Sequence, residues 1–181
     1  MPQSVMSFGG FDLVPITQAD VPQIVAWRSR PEVHEWYGGR PVTGEEIRSR
    51  HLESGDPTTR CIVHLESRPI GHLQFYEYIT EWRPAIGLGP EDDGVWGLDV
   101  YLGEPELHGR GIGTRLVRGV AECLVSDHGA RSVVIDPHVG NHAAVRCYEK
   151  AGFRKVRLLP SYERIRGEWK DAWLMEWDPG V

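Results

Sequence analysis

Residues 108–114, His-Gly-Arg-Gly-Ile-Gly-Thr, set three glycines at alternate positions directly before Leu116, Val117, Val120, Ala121 and Leu124. The glycines make a tight loop, and the apolar spacing behind them is that of an amphipathic helix. Such a loop presents a row of backbone N–H groups, and the helix N-terminus adds roughly half a positive charge. Together they seat a phosphate or pyrophosphate. Two common nucleotide motifs do not fit. The dinucleotide fingerprint wants G-x-G-x-x-G after the first strand and an acid about 20 residues on. Here the glycines run G-x-G-x-G past the middle of the chain, and no Lys follows Gly113 as a P-loop would require.

A second constellation follows. Residues 133–135, Val-Val-Ile, read as a short buried strand ended by Asp136-Pro137. Residues 141–153 read as a helix, with Asn141 as its N-cap and Gly152 as the C′ residue. Two tempting readings fail here. His138 and His142 straddle the helix start, so they do not share one helix face as a zinc pair would. Cys147 adjoins Tyr148, but helix neighbours point apart by about 100°, which disfavours a covalent step on the cysteine.

The loop resembles x-x-G-x-G, the pyrophosphate-binding signature of GNAT acetyltransferases, which hold coenzyme A; His108 stands where that signature opens on Gln or Arg. N-x-x-A-x-x-x-Y-x-x-x-G-F over 141–153 resembles the second GNAT signature, and the two stand in the family's order and spacing. Within the family, four stretches resemble aminoglycoside 6′-N-acetyltransferases. They are residues 33–39 with His-Glu-Trp-Tyr-Gly-Gly, Pro69-Ile70-Gly71-x-x-Gln74-x-Tyr76, Asp93-Gly94-Val95-x-Gly97-Leu98-Asp99, and Asp136-Pro137 through Phe153. The likeness covers most of 11–159 and fades at both ends and over 77–91.

The resemblance implies an acetyl-CoA-dependent N-acetyltransferase, without a metal, acting on the 6′-amino group of an aminoglycoside by direct transfer in a ternary complex. It implies Asp99 as the base, direct or through water, and Tyr148 as the acid that protonates the departing thiolate. The plain alternatives are a loop cap or Arg partner for Asp99, and core packing for Tyr148. The backbone amides of Arg110, Gly111, Ile112, Gly113 and Thr114 would cradle the pyrophosphate. Val100, Tyr101 and Leu102 would pair with the pantetheine arm like an added strand, the amide of Val100 or Tyr101 serving as oxyanion donor. Asn141, unless it is only a cap, and Ala144 complete the cofactor set. Arg115, Arg118 and Arg146 are candidates for the adenosine 3′-phosphate, although exposed helical arginines are usually just solvated. On the acceptor side, Asp136 would bind an ammonium or else initiate a turn before Pro137. Trp36, Tyr76, Trp82, Asp92, Asp93 and Trp96 form an acidic and aromatic set suited to a polyamine sugar, each of which alone is also ordinary packing.

These residues need elements to hold them. Residues 1–8 read as a ragged start and 11–16 as a first strand. Helices are predicted over 21–30 and over 43–53, the second from the Thr43–Glu46 capping box. Residues 61–66 and 70–76 read as a hairpin around 67–69. A long insertion, 77–94, precedes a strand over 95–102, and long loops in compact domains are usually functional. Strands at 153–159 and 169–177 close the chain. The order β-α-α-β-β-β-α-β-α-β-β predicts a mixed α/β (α+β) architecture. The resemblance makes it a GNAT fold, one domain over 1–181, with a mixed, mostly antiparallel central sheet flanked by helices.

Composition bounds the rest. At 181 residues the chain buries enough surface for one stable domain. Its three cysteines show neither metal-ligand spacing nor a disulfide framework. A formal net charge of −6 argues against nucleic acid and suits a cationic small molecule. No basic-then-apolar leader opens it and no apolar run is long enough to span a membrane, so a cytoplasmic protein is expected, as monomer or homodimer. Two rivals remain: an acyltransferase for another small amine or hydroxylamine, such as the siderophore precursors N-hydroxylysine and N-hydroxyornithine, and a coenzyme A-binding module without turnover. Acid around the acceptor speaks against the first. The joint presence of Asp99 and Tyr148 speaks against the second.

Overall fold

The computed structural model describes residues 3–179. In chain order the elements are β1 (Met6–Phe8), β2 (Phe11–Pro15), α1 (Val21–Arg28), α2 (Pro31–His34), α3 (Gly44–Ile47), β3 (Thr59–Leu65) and β4 (Arg68–Glu77). They continue with β5 (Val95–Leu102), α4 (Ile112–His128), β6 (Ser132–Ile135), α5 (His142–Ala151), β7 (Arg154–Ile165) and β8 (Glu168–Trp177). The strands form one eight-stranded sheet in the order β1-β2-β3-β4-β5-β6-β8-β7. β5 and β6 run parallel, joined through α4, while β1–β2, β2–β3, β6–β8 and β7–β8 are antiparallel. The expected mixed, mostly antiparallel sheet is therefore present.

Two compact units make up the chain: residues 3–74 with 100–112, and residues 75–99 with 113–179. In the first unit, α1 and α3 bury Val21, Ile24, Trp27 and Ile47 with Val33, Ile62 and Tyr101. Trp27 is fully buried, and its indole N–H donates to Glu104 Oε1 at 2.8 Å. The ragged start is corrected in part. Residues 6–8 pair with β2 as β1, with Met6 buried opposite Leu13, and Gly9-Gly10 supplies the positive-φ turn between them. The Thr43 capping box forms as expected: Thr43 Oγ1 accepts from the Glu46 N–H, and the Thr43 N–H donates to Glu46 Oε2 at 2.8 Å. The helix behind it keeps its expected extent but changes type: α3 ends at Ile47 and continues as a π-helix over Arg48–Leu52, in which the Glu53 N–H reaches Arg48 O. The β3–β4 turn also shifts, to Glu66 and Ser67, both at positive φ.

The second unit contains most of the residues to which chemistry was assigned. α4 buries Leu116, Val117, Val120, Ala121 and Leu124 completely, the face expected from their spacing. Its second apolar cluster centres on Tyr78, Ile86, Val134, Leu159 and Leu174, with Tyr76, Trp82 and Tyr162 packed against it. Residues 77–94 are not structureless. They turn once through 83–86, and buried Arg83 ties them down by donating to Tyr78 O at 2.9 Å and Pro90 O at 2.7 Å. β7 runs six residues past the expected end at 159.

Candidate active site

Strand alternation sorts β5 into two faces. Val95, Gly97 and Asp99 share one; Trp96 and Leu98 lie on the other. On the first face, adding a Cβ to Gly97 would bring it 2.7 Å from Tyr76 Cε2 and 2.8 Å from Tyr78 Cε2. The two phenol rings therefore need a residue without a side chain beneath them. Their centroids are 5.3 Å apart, their hydroxyls 3.5 Å apart, and the Trp82 ring packs edge-on to Tyr76 at 5.7 Å. Overpacking at such a position costs about 1–3 kcal/mol. Gly97→Ala is therefore expected to lower the melting temperature by several degrees and raise the acceptor KM, measured by a thermal melt and steady-state kinetics.

Around these rings the second unit gathers two carboxylates and four phenols. Asp99 and Asp136 are half-buried, and Tyr148, from α5, is buried. Burial is the largest effect raising the pKa of Tyr76, Tyr78, Tyr148 and Tyr162, and the charges of Asp99 and Asp136 push each phenol further up. All four phenols consequently hold their protons and act as donors. Burial also raises the Asp136 carboxyl, opposed by a hydrogen bond from Tyr162. Two carboxylates edged by neutral phenols form a site that attracts a cation and has both a proton acceptor and proton donors in it.

The other expected acceptor residues are scattered. Trp96 turns to the opposite face of β5, where it packs on Phe75 at 6.3 Å and on His128 of α4 at 5.0 Å. Asp93 makes an exposed ion pair with Arg131 at 2.8 Å, and Asp92 Oδ2 accepts the Gly89 N–H at 2.7 Å to shape its own loop. In each of these three, strand parity or a local partner sets the direction of the side chain. Trp36 belongs to the first unit, where it is exposed after α2. Tyr76, Trp82, Asp99 and Asp136 remain together.

The glycine loop has the conformation its composition predicts. Gly109 and Gly111 both sit at φ above +70°, in the left-handed region that admits glycine at no steric cost. α4 begins at Ile112, and its first-turn amides have no acceptor within the helix. His108 Nε2 donates to Leu102 O at 3.0 Å, tying the loop to the end of β5. Gly113 serves packing: a Cβ there would lie 3.1 Å from Cys147 Sγ. Thr114 Oγ1 donates to Cys147 O at 3.3 Å, joining the start of α4 to α5. Burial raises the Cys147 pKa, and a thiol that keeps its proton is a poor nucleophile.

Asn141 caps α5 by accepting the Ala144 N–H on Oδ1 at 3.1 Å, so the capping role exists whatever else its amide does. Arg118 is not a free cation for a phosphate. Its guanidinium donates to Ala151 O at 3.1 Å and Lys150 O at 2.9 Å, closing the C-terminus of α5. Arg115 and Arg146 are exposed. Val100, Tyr101 and Leu102 end β5, and the Tyr101 ring is buried in the first unit against Tyr37 at 5.0 Å and His72 at 5.5 Å. That leaves the backbone of this stretch as its chemical resource. Two residues of the acid and phenol cluster escaped the sequence reading, Tyr78 and Tyr162. Tyr78 shares strand parity with Tyr76 and was findable on that ground; Tyr162 depends on a strand irregularity with no local signature.

Comparison with known proteins places these features. The family model for the acetyltransferase (GNAT) domain matches residues 17–160. The chain is 34% identical over 151 residues to the aminoglycoside N(6′)-acetyltransferase type 1 of Klebsiella pneumoniae, covering 77% of this chain and 72% of that protein. The same figures hold for the protein of that name from Serratia marcescens. Among solved structures, AAC(6')-Ib in complex with ribostamycin and coenzyme A superposes with a TM-score of 0.76 at 29% identity, over 95% of both chains.

Proposed function

The chain belongs to the GNAT acetyltransferase family, and from that premise we propose that it moves the acetyl group of acetyl-CoA to the 6′-amino group of an aminoglycoside, by direct transfer in a ternary complex. The observation that carries the acceptor class is the pair of half-buried carboxylates, Asp99 and Asp136, among four protonated phenols. A polycationic sugar meets charge and donors there; a simple hydroxylamine would need neither acid so strongly. The relatives' names support the same reading.

Asp99 accepts the proton of the bound ammonium, directly or through a water, which frees the nitrogen lone pair for attack on the thioester carbon. The amide of Val100 or Tyr101 receives the oxyanion. Tyr148 gives its phenolic proton to the sulfur as the carbon–sulfur bond breaks, and the second proton that the nitrogen sheds on becoming an amide returns to the phenolate, leaving an amide, a neutral thiol and a restored phenol. Arg110, Gly111, Ile112, Gly113 and Thr114 hold the pyrophosphate through their amides, and Val100–Leu102 with Asn141 and Ala144 hold the pantetheine arm. Asp136, Tyr76 and Trp82 hold the acceptor. Residues 1–181 act as one GNAT domain, as monomer or homodimer. Among the described residues no helix is long and apolar enough to cross a membrane, and acetyl-CoA as cosubstrate supports a cytoplasmic enzyme.

The test is acetyl-CoA-dependent thiol release with kanamycin, tobramycin, a 6′-hydroxyl aminoglycoside, lysine and hydroxylysine. Turnover is expected with the 6′-amino compounds and not with the 6′-hydroxyl one. Turnover of lysine or hydroxylysine alone would overturn the aminoglycoside reading.

A further inference from the structure

Trp82 packs against Tyr76 from the 77–94 loop, and two arginines hold that loop in shape. Arg83 holds it from within, through Tyr78 O and Pro90 O. Arg157 holds it from β7: its Nη1 donates to Ile86 O at 3.3 Å and to Gly87 O at 2.7 Å. These two carbonyls end the single turn over Arg83–Ile86, which opens on Trp82, where the Ala85 N–H donates to Trp82 O at 3.2 Å. The last carbonyls of a helical turn find no N–H within it, and a guanidinium from outside caps them. Gly87 closes the turn at φ +74°, and a Cβ there would collide with the Arg157 guanidinium. What aims Arg157 at the loop is a bulge in β7. Lys155 pairs with Met175 but Arg157 pairs with Leu174, so Val156 is an extra residue in the ladder. In an unbroken ladder Arg157 would share the face of Lys155. The slip turns it to the opposite face, that of Leu174, which packs in the cluster holding Ile86 and Tyr78.

We propose that Arg157 is a positioning residue for acceptor specificity: from β7 it fixes the 83–87 turn, and with it the Trp82 ring against Tyr76, as a rigid wall of the acceptor site. This rests on the aminoglycoside reading above. A wall set in place before the acceptor arrives costs no ordering of the loop on binding. An acceptor of several sugar rings lies against that wall and gains from it, whereas a small amine reaches Asp99 without it. Arg157 therefore favours large acceptors over small ones and leaves the coenzyme A side untouched.

Arg157 is exposed, so truncating it leaves the core intact. In Arg157→Ala the kanamycin KM should rise about fivefold to tenfold, the scale of a lost charged hydrogen bond that solvent partly screens, with kcat and the acetyl-CoA KM nearly unchanged. Arg157→Lys, which keeps the charge and a set of donors, should recover part of the loss. Gly87→Ala attacks the same contact from the other side. It should raise the kanamycin KM more in the wild type than in Arg157→Ala, where the guanidinium it collides with is gone. A readout free of turnover is hydrogen exchange at the Gly87 and Leu88 amides, which donate to Pro84 O at 3.1 Å and Arg83 O at 2.9 Å. Both should exchange about tenfold faster in Arg157→Ala. Unchanged exchange overturns the proposal, and so does faster exchange with an unchanged kanamycin KM. A rise of both KM values together with a lower melting temperature would make Arg157 a general stabiliser and overturn it as well. If the wild type acetylates no aminoglycoside, the proposed function fails and the acceptor role with it, while the exchange rates still decide whether Arg157 fixes the turn.

Discussion

Asp99→Ala is expected to cut acetyl transfer by about 10²–10⁴-fold, the range of a positioned general base, while the acetyl-CoA affinity stays close to wild type. The asymmetry follows from where binding energy comes from. Coenzyme A is to be held by backbone amides of the glycine loop and of β5, which a side-chain truncation at Asp99 leaves in place. The acceptor instead arrives as an ammonium, and its nitrogen has no free lone pair until a proton leaves. Asp99 stands on the face of β5 that carries Gly97, in the same unit as the four phenols, where a carboxylate both attracts that ammonium and takes its proton. Asp99→Asn keeps the shape and loses the charge, so it should fall nearly as far. With the base gone, the residual rate should climb about tenfold per pH unit until the amine itself deprotonates. Binding of acetyl-CoA measured by calorimetry gives the control. Full turnover in both variants would remove Asp99 from the mechanism.

How much of this was legible in the sequence depends on whether the signal was local. The glycine loop, the helix behind it and the Asn141–Gly152 boundaries of α5 are contiguous patterns, and each was readable from spacing and cap chemistry. The Gly9-Gly10 turn that makes β1 was equally local and was passed over. The acceptor set required more than composition. Strand parity alone separates Trp96 from Asp99, since an even and an odd position on one strand face opposite ways; grouping Trp96 with Tyr76, Trp82, Asp92 and Asp93 as one acidic and aromatic set leaves that period out. Asp93 and Asp92 could not be placed so simply, because their partners Arg131 and the Gly89 N–H become visible only when the loop is folded. Tyr162 is the hardest case. Its direction depends on three residues of β7 facing one of β8, and register is a property of a strand pair, absent from either strand's own sequence.

Tyr148→Phe should slow the chemical step by about 10²-fold, the lower end of general acid catalysis, with the fold intact. The ring remains in its packed position, 6.2 Å from Phe153 between centroids, and only the hydroxyl is lost. Burial, with the charges of Asp99 and Asp136 adding to it, raises the Tyr148 pKa above its ordinary value. The phenol is therefore protonated throughout the neutral range, which is the state a proton donor must be in before the sulfur leaves. Two consequences can be measured. Any alkaline loss of wild-type activity below pH ~10 must come from another group, because Tyr148 still holds its proton there. The deficit of Tyr148→Phe must also depend on the leaving group. A thiolate of low basicity departs without help, so an acetyl thioester of an acidic thiol, used in place of acetyl-CoA, should bring variant and wild type together. A deficit that stays the same for both thioesters would show that the hydroxyl acts on something other than the departing sulfur, and the acid role would have to pass to another proton donor.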